Sequence, residues 1–225
     1  ADALALIEYV QKQPKVILLI ADDITHLDNL YNSLNFYNNE LDILTFDNWE
    51  VLPYDQFSPH PDITSNRLST LSRLKRLKQG IVITTLETLF SQLCPIEFSE
   101  QYSFNIKSGD QLELNNFSEK LLKIGYNRVT TVMEHGEFNI RGSLIDLYPM
   151  GAKSPYRLDL FDQEIETIRT FDTSTQRSDT QVDEIALLPA REFATDEPSI
   201  ELFKRNYDQA FAKQGFIYTE ISEGR

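Results

Sequence analysis

The sequence predicts an α/β chain in which a parallel-sheet domain is interrupted by an inserted α+β domain of mostly antiparallel strands. Three observations carry this reading. Residues 16–20 and 81–84 are apolar runs rich in β-branched side chains, the pattern of strands buried on both faces of a parallel sheet, and each is followed by leucines at helical spacing. After Pro95 the period falls from helical to alternating, and alternation dominates as far as Phe171. From Pro198 the helical period returns, so the first domain resumes beyond the insert.

Taken in order, Leu4, Leu6, Ile7 and Val10 form a helical stripe that Pro14 ends. After the first strand, Ile24, Leu27, Leu30, Tyr31 and Leu34 mark a helix. Residues 42–46 read as a short strand, and residues 49–61 as a loop rich in proline and aromatics. Residues 63–78 are predicted as a helix with Leu68, Leu71, Leu74 and Leu77 inward and Arg67, Arg73, Lys75, Arg76 and Lys78 outward. Thr84-x-x-Glu87 predicts a capping box for a helix bearing Leu86, Leu89, Phe90 and Leu93.

In the insert, residues 102–106 and 111–114 alternate, and residues 118–124 form a short helix stopped by Gly125. A polar turn at 174–179 precedes a strand at 184–188. The last helix starts with Pro198 in its first turn, turns Ile200, Phe203, Tyr207 and Phe211 inward and stops at Gly215. Residues 216–221 begin a further strand. The domain limits are therefore 1–102, 103–189 and 190–225. Both ends read as cut, since the chain lacks an initiator methionine and stops just after that strand begins.

Residues 133–172 hold the most informative pattern, read as three strands. In the first, Phe138 and Ile140 point one way and Asn139 and Arg141 the other. Gly142 interrupts the alternation, and residues 144–148 then run nearly continuously apolar, as at a bulge or a change of face. In the second strand Tyr156, Leu158 and Leu160 make a core face, leaving Arg157, Asp159 and Phe161 opposite. A large aromatic among charges has two readings: an interface hot spot, or a side chain covered by a neighbouring loop.

Little else competes for function. The net charge of −14 disfavours attraction of the whole chain to phosphate backbones. A single cysteine, Cys94, excludes a disulfide framework and reads as a small buried residue at a helix end. With no signal peptide and no apolar run long enough for a membrane, the protein is predicted to be cytoplasmic. No G-x-x-x-x-G-K-[ST] occurs, and Ala21-Asp22-Asp23 after the first strand would repel a phosphate. Glu134-His135-Gly136-Glu137 has no second ligand cluster and reads as a polar turn rather than a metal site. The basic face of the 63–78 helix lacks stacking aromatics and reads as solvated. No catalytic residue, cofactor or metal is predicted, which favours a binding module over an enzyme.

Residues 46–74, FDNWEVLPYDQFSPHPDITSNRLSTLSRL, closely resemble the amino-terminal module of bacterial transcription-repair coupling factors. VMEHGEFNIRGSLIDLYPMG and PYRLDLFDQEIETIRTFD resemble that family's second domain, so the resemblance covers essentially the whole chain. The module is in turn similar to the excinuclease protein UvrB. The resemblance implies a degenerate helicase-like, P-loop NTPase-like first domain. Where UvrB carries its P-loop, this chain has Ala1-Asp2-Ala3, and its counterpart of the damage-gripping hairpin, residues 49–62, is shorter. Neither ATP hydrolysis nor damage verification is therefore expected of it.

What the resemblance does imply is docking of UvrA, the damage-recognition ATPase of the excinuclease, on the inserted domain. The family's docking residues fall on Arg141, Arg157, Asp159 and Phe161, both arginines being expected to pair with partner carboxylates. The parent protein is expected to be an ATP-dependent DNA translocase that meets RNA polymerase and DNA through other parts, and one of its later domains could mask the docking face. The rival reading is a nucleotide- or DNA-binding enzyme fragment retaining UvrB-like activity.

Overall fold

Three parallel strands organise the first unit of the computed structural model, which describes residues 2–38, 40–51 and 57–211. Helix α1 (Asp2–Lys12) leads into β1 (Val16–Ala21), and α2 (Ile24–Tyr37) crosses to β2 (Ile43–Phe46). Helix α3 (Pro61–Leu74) then crosses to β3 (Gly80–Thr85), and a single turn, α4 (Leu86–Leu89), follows. The order is β1-β3-β2, with Leu18 and Leu44 flanking Val82. Ile7 and Val10 of α1 and Leu27 and Leu34 of α2 pack on Ile43, Ile81 and Ile83. Asp23 caps α2 by accepting from His26 N at 2.8 Å. On α3, Thr70 Oγ1 donates to Thr45 O at 2.7 Å and pins the helix along β2.

Several expectations change here, each for a tertiary reason. β1 is an edge strand and α3 lies along β2, so Val16, Leu18 and Ile20 are exposed rather than buried. The cap is Thr85, whose Oγ1 accepts from Thr88 N at 3.3 Å. Thr84 Oγ1 instead donates to Phe46 O at 2.9 Å. With only one turn in α4, Leu86, Leu89, Phe90 and Leu93 are exposed instead of forming a core stripe. Residues before Phe104 form another helix, α5 (Ile96–Tyr102), in place of a strand starting at Tyr102. Cys94 is only half-buried, in the segment before α5, and burial pushes its thiol pKa up.

The second unit runs through β4 (Phe104–Lys107), α6 (Leu114–Lys123), β5 (Asn127–Arg128) and β6 (Glu137–Arg141). It continues through β7 (Leu144–Leu147), β8 (Tyr156–Phe161), β9 (Glu164–Phe171), β10 (Ser178–Val182) and β11 (Glu184–Leu187). Strands β10-β9-β8-β7-β6-β5 form one sheet, antiparallel except for the β5–β6 pair. β4 and β11 pair with each other, Phe104 beside Leu187, so the chain enters and leaves this unit at adjacent positions. Phe117 and Leu121 of α6 pack with Phe138, Ile145, Leu147, Leu158, Ile165 and Ile168 in its core. Gly125, at φ +95°, stops α6, and a Cβ there would meet Arg191 Cγ at 2.7 Å.

The three strands expected across residues 133–172 are four. Gly142, at φ +62°, sits in the two-residue turn between β6 and β7 and is not a bulge. The bulge lies in β9: Thr167 pairs with Asp159 and Ile165 with Leu160, leaving Glu166 as the extra residue. Residues 111–114 give only one bridge, Gln111 to Glu164, because Glu113 caps α6 by accepting from Asn115 N and Asn116 N. The polar turn ends where β10 begins at Ser178. Beyond the sheets, α7 (Glu197–Phe211) has Ile200, Phe203 and Tyr207 only half-buried. The side chain of Phe211, Gly215 and the strand expected at 216–221 lie outside the described residues.

A polar joint ties the two units together. Leu68 of α3 joins the second core, and Ser65 Oγ accepts from Gly151 N at 2.8 Å. Arg67, expected outward, is fully buried: it pairs with Glu192, donates to Asp47 O at 2.6 Å and lies between the rings of Phe46 and Trp49. His135, the turn residue, bridges Asp62 Oδ1 at 2.6 Å and Ala152 O at 2.8 Å.

Candidate protein-docking face

Strand register decides which side chains share the outer face of the six-stranded sheet. One cross-strand row reads Asn139, Asp146, Arg157, Arg169 over β6 to β9. The next reads Arg141, Leu144, Asp159, Thr167. Phe161 lies two residues past Asp159 on β8, opposite Glu164 at the mouth of the β8–β9 hairpin. The four candidate residues therefore share one face, and Phe138, Leu158 and Leu160 lie in the core behind it.

The two rows differ in access. Asn139 Nδ2 donates to Thr130 O at 2.7 Å, Gln176 Nε2 donates to Val132 O at 3.3 Å, and Arg157 Nη1 donates to Gln176 O at 3.1 Å. The strand-free segment before β6 and the turn after β9 thus close over Asn139, Asp146 and Arg157 of the first row, while Arg169 at its end stays exposed. The second row is open. Arg141 keeps 54% of its side-chain surface in water, and Phe161 is 77% exposed, so no neighbouring loop covers it. Asp159 is half-buried and makes no ion pair among the described residues.

Asp146 organises the charges between the rows. Its side chain is 2% exposed. Oδ1 accepts from Arg157 Nε at 2.6 Å, while Oδ2 accepts from Arg157 Nη2 at 2.8 Å and from Arg141 Nη2 at 2.6 Å. The Arg157 guanidinium also stacks over the Phe171 ring, 4.9 Å from its centroid. Hydrogen bonding to Asp146 raises the Arg157 pKa above its ordinary value, so its charge is permanent. Arg157 is only 17% exposed, which differs from the expectation that both arginines stand free for a partner's carboxylates. Asp146 and Arg169 were missed by sequence reasoning. The available signal was a lone carboxylate in the apolar run of β7, alternating in phase with Leu144.

Other candidate positions have structural uses. Asp23 is spent on capping α2. Of the expected basic helix face, Arg67 is buried, Arg73 pairs with Asp42 and Lys75 with Glu100. Among the described residues no three His, Cys, Asp or Glu side chains cluster to hold a metal, and no helix is long and apolar enough to cross a membrane.

Residues 104–193, the stretch from β4 to just beyond β11, match the UvrB interaction domain family. This unit is therefore an interaction domain of the UvrB type. The whole chain is 40% identical to the transcription-repair-coupling factor of Haemophilus influenzae and 39% identical to that of Escherichia coli. Over 94% of its length it is 28% identical to the Staphylococcus haemolyticus factor. It spans about a fifth of these curated relatives, 20%, 20% and 18% of their lengths. Over its whole length the chain is thus similar to one segment of transcription-repair-coupling factors.

Proposed function

We propose that this chain is the UvrB-like module of a transcription-repair coupling factor and recruits the excinuclease protein UvrA to stalled RNA polymerase in transcription-coupled nucleotide excision repair. The observation that carries this is Phe161, a large aromatic left 77% exposed on an ordered strand beside fixed charges. An aromatic anchor ringed by polar groups has the composition of an interface hot spot. Phe161 enters an apolar slot of UvrA, Arg141 meets a carboxylate, Asp159 takes a cation, and Arg157 braces the charged row.

Residues 1–102 are read as a degenerate helicase-like domain, 103–189 as the insert and 190–225 as the resumed first domain. The parallel β1-β3-β2 order and the adjacent entry and exit strands support this division. Two carboxylates follow β1, one of them committed to a helix cap, which supports a first domain without its own ATP hydrolysis. ATP-driven translocation on DNA and contact with RNA polymerase belong to other parts of a cytoplasmic parent protein.

Co-purification with UvrA tests the reading. Arg141→Ala combined with Phe161→Ala, both exposed and so compatible with the fold, is expected to abolish complex formation. A folded double variant retained at wild-type strength refutes it. Labelled ATP and duplex DNA titrated into the same chain separate the rival class, because saturable micromolar binding of either favours a nucleotide- or DNA-binding enzyme.

A further inference from the structure

We propose that Asp146 is the positioning residue of the docking face: it ties Arg157 inward as a strut and aims Arg141 outward as the cation that a partner's carboxylate meets. The inference rests on the docking reading above and adds a residue that touches no partner, since Asp146 is 2% exposed.

A carboxylate buried within a mostly apolar strand needs a paired cation, and one would neutralise it. Two are present, so the trio carries one surplus positive charge. The remaining contacts decide where that charge sits. Arg157 spends Nε and Nη2 on Asp146 and Nη1 on Gln176 O, and its flat face lies over Phe171. Arg141 makes one bond, through Nη2, and the rest of its fork has no partner among the described residues. The surplus charge therefore emerges at Arg141, with donors left for a second carboxylate.

Asp159 lies two residues from Arg157 on one face and shares a row with Arg141, yet neither arginine pairs with it. The bonds to Asp146 are made where water is excluded and Coulomb attraction is stronger, so they win over a half-exposed carboxylate. Without Asp146, both guanidiniums are free to fold onto Asp159, and the face would neutralise its own opposite charges before a partner arrives. Asp146 keeps the positive and negative groups of the open row apart and available, which is pre-organisation by a residue behind the interface.

The test measures UvrA binding to the full chain carrying Asp146→Asn, which keeps the size of the side chain and removes its charge. Affinity is expected to fall roughly tenfold to a hundredfold, the cost of re-ordering two arginines on binding. A second arm separates positioning from mere support of the fold: Arg141→Ala weakens wild-type binding but costs no more than about twofold when added to D146N. Full additivity of the two changes overturns the proposal. Should D146N fail to fold, the wild-type chain decides through the side-chain nitrogen resonances of its arginines. The Arg157 Nε–H is expected to be protected in the free chain and unmoved by UvrA, while Arg141 exchanges freely and shifts on binding. An Arg157 that exchanges freely, or that shifts on binding as much as Arg141, overturns it. Failure of the underlying reading looks different: the wild-type chain then binds no UvrA, although the free-chain spectrum still shows a protected Arg157.

Discussion

Replacing Phe161 with alanine isolates the apolar part of the proposed interface. Full burial of a phenylalanine side chain contributes about 1.5–3 kcal/mol relative to leaving it exposed. With 77% of Phe161 still in water, seating it in a partner's slot contributes about 1.2–2.3 kcal/mol, or roughly seven- to fifty-fold in Kd. The same substitution changes folding stability by about 0.5 kcal/mol or less, because the ring makes no core contact to lose. Isothermal titration of purified UvrA gives the affinity, and thermal unfolding monitored by circular dichroism checks the fold. Salt adds a second signature. The loss on Phe161→Ala should hold as ionic strength rises, whereas the loss on Arg141→Ala should shrink, since only the second interaction is screened. A folded Phe161→Ala chain that binds within about twofold of wild type would refute an aromatic anchor.

Two further outcomes follow from the joint between the units and from the segment leading into α7. Arg67→Ala leaves Glu192 buried without its cation and is expected to cost about 3–5 kcal/mol in urea unfolding, largely recovered when Glu192→Leu is added; the single tryptophan, Trp49, stacked on Arg67, reports the change by fluorescence. The phenol of Tyr102 donates to Asp196, which pushes the Tyr102 pKa from 10.0 up to about 12, while hydrogen bonds from Ser199 and then Tyr102 lower the pKa of Asp196 below 3.8. A raised phenol gives stability that is present below its unfolded value and lost as pH climbs from 10.0 to about 12. A lowered carboxyl gives stability that is present above 3.8 and lost in stronger acid. The stability difference between wild type and Tyr102→Phe should therefore be flat at neutral pH and vanish at both extremes; a difference that persists in strong acid would show that the bond to Asp196 is not its source.

Periodicity made the strands of the proposed docking face legible because alternation is enforced by the pleat itself. Arg157, Asp159 and Phe161 must lie opposite Leu158 and Leu160 whatever the strand pairs with, and one apolar face must then find α6. The turn at Gly142 was harder, since an interrupting glycine fits a bulge and a tight hairpin equally well. Pairing of Arg141 with Leu144 settles it. The exposure of β1 lay beyond reach for a similar reason. An apolar run states that a strand can be buried, while edge position and the path of α3 decide whether it is.

Charged residues were the least legible, and Arg67, Arg157 and Asp146 show why. A pattern of hydropathy places an arginine on the wet side of a helix or strand by default. Whether it stays wet depends on a carboxylate remote in sequence: Glu192 for Arg67, and Asp146, eleven residues away on the neighbouring strand, for Arg157. Burial of the charge and burial of its partner are one event, because neither is stable in a dry site alone. Sequence alternation thus identifies which residues share the proposed docking face, but the difference in exposure between its two arginines arises only from pairing. Arg141 and Arg157 are chemically identical and share one buried carboxylate, yet one keeps 54% of its side-chain surface in water and the other 17%.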